Sequence, residues 1–200
     1  MKRAERKTAP GVRNGRVQKK NNWELTLDYD IADQPELVID RQRPGAGFLH
    51  LLTQADVRRF ISLVPDWKTH ARGLNAVVLA PGDPCSFGFY QPGIISLCAW
   101  PLAIEMSVDE LYFNCRIDIL DCLGVSSYPL GNGQRLLAFS EDTARAYLLL
   151  STFLHELSHR NDYLNTRNPN NANRGEGHAE EFALQLGLKM WPAYQKAFGL

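Results

Sequence analysis

The run from Ala144 to Leu157 constrains this chain more than any other segment. Apolar residues recur along it at helical spacing, and Tyr147, Leu148, Leu150, Ser151, Phe153 and Leu154 form a face that must be buried, most simply against a sheet. Its start is marked. Ser140 precedes Glu141 and Asp142, so a hydroxyl N-cap opens onto two acids in the first turn. Arg135–Phe139, just before the cap, reads as a short buried strand. A strand, a cap and a buried helix in direct succession predict a core built around this helix.

The run ends in residues that a core does not need: His155-Glu156-Leu157-Ser158-His159. On one helix, His155 and His159 are four residues apart and project from the same face. Two imidazoles at that spacing can grip one Zn²⁺, which takes nitrogen ligands in a tetrahedral site. Glu156 points beside such a metal rather than onto it, where it can take a proton from bound water as a general base. The bland reading is an exposed polar patch where the helix leaves the core.

A metal site needs a third protein ligand. Downstream, Gly175 and Gly177 mark a turn into a second helix with apolar positions Ala179, Phe182, Ala183, Leu186 and Met190. Glu176 can supply the ligand and leave the fourth position open for water. His178 is the rival, rotated away from Glu176, and Glu180 or Glu181 are the remaining choices. Glu180, one turn beyond Glu176, suits a carboxylate that accepts a hydrogen bond from a liganding imidazole and fixes its tautomer. For Glu180 and Glu181 the alternative is ordinary helix solvation. Tyr163, Arg174 and His178 lie within reach as groups that could steady an oxyanion.

Taken together, His155-Glu156-x-x-His159 and Glu176-x-x-Ala179-x-x-Phe182-Ala183 resemble the gluzincin branch of the zincin metallopeptidases, and within it the ImmA/IrrE-type enzymes. The likeness covers roughly residues 135–192. It implies an α+β, zincin-like fold in which a small mixed sheet packs on the active-site helix and a second, ligand-bearing helix. It also implies one zinc ion per chain on His155, His159 and Glu176, with Glu156 as the catalytic base of peptide-bond hydrolysis. Zincins lay an extended substrate along an edge strand, and Gly88–Trp100 contains a suitable hairpin, so the expected partner is a polypeptide bound there. A catalytically weak, metal-sensing or partner-binding module is the competing function, although an intact Glu156 has no use in it.

The remaining features set the frame. Residues 1–20 hold eight Lys/Arg and one Glu, which leaves the other 180 at net −7 although the whole chain is neutral. That basic start has no apolar stretch of a secretory signal and no periodicity. Residues 1–22 therefore read as a flexible tail, with weak contact to nucleic acid or an anionic surface as its sharper use, and 23–200 as one domain. No apolar run approaches the roughly 20 residues needed to span a membrane, and the expected location is cytoplasmic. Cys85, Cys98, Cys115 and Cys122 lack paired spacing and read as buried, reduced thiols.

Other elements are expected at Trp23–Tyr29 and Glu36–Arg41 (paired strands), Thr53–Val64 (a helix capped by Thr53 and stopped by Pro65) and Leu74–Ala80 (a strand). Phe87–Tyr90 and Ile94–Trp100 form the hairpin, and Ser107–Leu123 a helix capped by Ser107 and closed by Gly124. His50 reads as a satisfied core histidine and His70 as an exposed one.

Overall fold

The computed structural model describes residues 12–13, 16–17, 29, 36–165 and 175–200, with 12–13, 16–17 and 163–165 as backbone only. In the basic start, β1 (Val12–Arg13) pairs antiparallel with β2 (Arg16–Val17). The rest of that segment, the domain boundary at 22/23 and the strand expected at Trp23–Tyr29, apart from Tyr29, which is not in a strand, lie outside the described residues; Val38–Arg41, expected to pair with that strand, pairs instead with Ala76–Leu79.

The fold is α+β. Its main sheet has four strands in the order β3 (Val38–Arg41), β5 (Ala76–Ala80), β7 (Ile94–Cys98), β6 (Gly88–Gln91). Short strands β4 (Phe48–Leu49) and β8 (Trp100–Pro101) pair separately. The sheet is mixed: β3, β5 and β7 run parallel, and β6 returns antiparallel to β7. All five residues of β5 are buried, because both faces of the sheet are covered. Val77, Leu79, Ile95 and Leu97 face the helices, while Ala76, Val78 and Ala80 pack with Tyr29, whose hydroxyl donates to Asp40.

The hairpin turns at Gly93 with φ +79°, the left-handed region where glycine is favoured. The helix α1 (Gln54–Ile61) carries the expected Thr53 cap, whose hydroxyl accepts from the Asp56 N–H while Asp56 reaches back to the Thr53 N–H. It ends before Val64, and a single turn, α2 (Trp67–His70), follows.

A second, antiparallel sheet has the order β10 (Ser126–Gly131), β11 (Gln134–Ala138), β9 (Glu105–Asp109). Ser107 is not the helix cap expected from the sequence. Ser107 lies inside β9, paired with Leu136, and Asp109 caps α3 (Glu110–Leu123) by accepting from the Tyr112 N–H at 2.6 Å. Pairing with β11 satisfies the backbone of residues 105–109, so the helix starts only where that ladder ends. Gly124 closes α3 in the left-handed conformation, as expected.

Ser140 opens α4 (Glu141–Tyr147) with a reciprocal bond to Thr143. The helix then widens into π-helical turns over Leu148–Phe153 and continues as α5 (Leu154–Asn165). Every residue of the widened stretch is buried. Burying Leu148, Leu149 and Leu150 contributes roughly 5–9 kcal/mol, well above the loss from a few poorer helical hydrogen bonds at about 1 kcal/mol each. Finally α6 (Glu176–Phe198) packs along the motif helix through Ala179, Ala183 and Gly187, all buried. Gly175 caps it, whereas Gly177 is helical rather than part of a turn.

None of the cysteines is bonded. Only Cys98 is buried; Cys85 and Cys115 are exposed because they lie on a loop and on the outer face of α3. Among the described residues no helix is long and apolar enough to cross a membrane.

Candidate metal centre

The motif helix delivers His155 and His159 to one face, their Nε2 atoms 3.0 Å apart. Glu176, the first residue of α6, approaches both: its Oε2 is 3.1 Å from His155 Nε2 and its Oε1 is 3.5 Å from His159 Nε2. Ligands at about 2.0–2.1 Å around a tetrahedral zinc stand about 3.3 Å from one another, and these three separations bracket that value. Among the described residues this is the one such grouping of metal-binding side chains. His178 belongs neither to it nor to the cleft lining.

Two local devices position Glu176. Gly175, at φ +82°, turns the chain into the helix with a backbone that side-chain-bearing residues rarely adopt. The small residues of α6 then allow close approach to the motif helix. A Cβ added to Gly187 would lie 2.6 Å from the Leu150 carbonyl oxygen.

Burial lowers the pKa of the His155 imidazole below its ordinary value, with His159 acting in the same sense against Glu180 and Glu176. A neutral ring keeps a lone pair for a cation. Its Nδ1 lies 3.7 Å from Glu180 Oε1, and the same oxygen is paired with the Arg116 guanidinium. Glu181 instead accepts from Gln185 on the exposed side of α6.

Glu156 leaves the helix towards the sheet and is 7% exposed. Burial raises its carboxyl to about 7; Glu176 and Glu180 add to this, and the backbone N–H of Tyr90, which donates to it, opposes it. The neighbouring strand residue must be glycine. A Cβ on Gly88 would lie 2.6 Å from Thr152 Cγ2 and 2.9 Å from the Ser96 carbonyl oxygen.

These groups line an open cleft of about 640 Å³ between β6 and α6. Its far wall holds residues the sequence reading missed. Arg116 lies over the Tyr112 ring at 4.1 Å, and the Tyr112 and Tyr147 hydroxyls are 2.6 Å apart. Burial raises the pKa of both phenols. The available signal was Arg116 itself, one turn after Tyr112 on an otherwise apolar face of α3.

Of the expected oxyanion groups, the Tyr163 side chain and Arg174 lie outside the described residues. His50 meets the Gln42 carbonyl at 2.8 Å, so it is satisfied as expected, but it is half-buried at the edge of the core rather than within it. His70 is corrected: it is half-buried, 2.8 Å from Asn161 and edge-on to Phe182, because α2 packs against α5.

Comparison with models of known protein families, with curated proteins and with solved structures returns no match.

Proposed function

We propose that the chain is a zinc-dependent hydrolase of peptide bonds, built on a zincin-like scaffold of the gluzincin type. One observation carries this reading: three ligand atoms of the required kinds converge at tetrahedral separations, with a buried carboxylate beside them. His155, His159 and Glu176 would hold the ion, and Glu180 would orient His155 through its Nδ1. Zinc bound there would polarise the scissile carbonyl and lower the pKa of a water molecule.

The protein's own part is proton transfer. As the water oxygen bonds to the carbonyl carbon, the Glu156 carboxylate takes the water's proton. As the C–N bond breaks, Glu156 returns that proton to the leaving amine. The Tyr90 N–H holds one carboxylate oxygen in place, and the surrounding burial excludes bulk water from the transfer.

The test compares zinc-loaded wild type with Glu156→Gln on short fluorogenic peptides. The amide has nearly the same shape but cannot act as a base. The expected result is retained zinc and a rate loss of about 10²–10⁴-fold, the usual worth of a general base. Undiminished turnover would mean that another group takes the proton.

A further inference from the structure

The strand border nearest the candidate centre is the outer edge of β6, the end strand of its sheet. Alternate residues of an antiparallel strand present their N–H and C=O groups to the partner, and the others present them outward. Gly88 and Tyr90 are the outward pair on β6, since the Gly88 N–H meets Ser86 and the Tyr90 N–H meets Glu156.

An extended peptide adding to this edge would need those N–H groups for its own carbonyls. Both are engaged. Gly88 N–H donates to Ser86 Oγ at 3.2 Å, and the same hydroxyl donates to the Gly88 carbonyl at 2.5 Å. The space beside the Gly88 Cα is filled by Thr152, and Glu156 Cγ stands 3.5 Å from where a Cβ would be. A peptide that displaced Ser86 would exchange one set of hydrogen bonds for another, so extra residues along the edge would add little affinity.

We propose that Ser86 closes this edge to strand addition, and that the centre acts on short amide substrates, with one or two residues on each side of the scissile bond, rather than on extended polypeptide. This rests on the zinc-hydrolase reading above. The size of the cleft agrees: about 640 Å³ falls within the roughly 300–1,000 Å³ of sites that hold small molecules.

The test measures dissociation constants of peptidyl hydroxamates, whose hydroxamate ligates zinc, on the zinc-loaded full chain. Two-residue and six-residue compounds are compared. Wild type should bind both within about threefold. Ser86→Ala should favour the longer compound by about fivefold or more, the worth of one or two recovered backbone hydrogen bonds. Ser86→Thr, which keeps the hydroxyl, should return to the wild-type pattern. A wild-type preference for the longer compound above about threefold overturns the proposal, as does a Ser86→Ala profile as flat as wild type. Zinc content of the same samples separates the two levels. A zinc-free wild type overturns the metal centre and this proposal together, whereas length dependence in a zinc-loaded protein overturns this proposal alone.

Discussion

At single residues, the polar groups around His155 divide into those that would touch a metal and those that would act through a neighbour. His159→Ala and Glu176→Ala each leave two protein ligands, and both variants are expected to lose most of their zinc on purification. Glu180→Ala removes no ligand but takes away the carboxylate 3.7 Å from His155 Nδ1, together with the partner of Arg116, so affinity should fall about 10–100-fold, as it does when such partners are lost. His178→Ala should leave zinc content unchanged. Competition against a chromogenic zinc chelator reads all four. The pair of histidines was legible in the sequence because helical spacing puts both on one face of the motif helix, whereas Glu176, on a separate helix, was reached only through the glycines beside it and the resemblance, with His178 as its rival. Arg116 and Tyr112 were not, because no local pattern states that α3 passes beside α6. The pairing of Arg116 with Glu180 joins residues 64 positions apart.

At the scale of elements, the caps and turns were readable because each is a local event. Thr53, Ser140, Gly93 and Gly124 do what their types and neighbours suggest. The failures occurred where tertiary pairing decides. Residues 105–109 became a strand because β11 lies beside them, and no pattern within the segment announces β10. The π-helical stretch was equally hidden, since Leu148, Leu149 and Leu150 satisfy several helical phases. Its packing against α6 gives a sharp prediction. Gly187→Ala gains up to about 1 kcal/mol of helix propensity. The added Cβ, however, sits 2.6 Å from a backbone oxygen that cannot swing away. Overpacking at about 1–3 kcal/mol should therefore win. Urea denaturation should show net destabilisation; a more stable variant would mean that the two helices separate freely.

At the scale of the whole molecule, Glu176 would join α6 to the motif helix through the ion, so metal binding and folding should be linked. The Glu176 side chain is 79% exposed, and its own contacts do little to fix it. With free zinc at 100 times its dissociation constant, mass action adds about 2.7 kcal/mol to stability. The melting temperature should rise with added zinc and fall with a chelator, and Glu176→Ala should abolish most of that response. The central claim is the identity of the ligands, and the most direct measurement is a crystal structure with anomalous data collected on both sides of the zinc absorption edge. The account predicts one zinc peak about 2.0–2.1 Å from His155 Nε2, His159 Nε2 and a Glu176 carboxylate oxygen, with Glu156 beside it and outside bonding distance. A peak bound by His178 in place of Glu176, or no zinc peak on the motif helix, would contradict it.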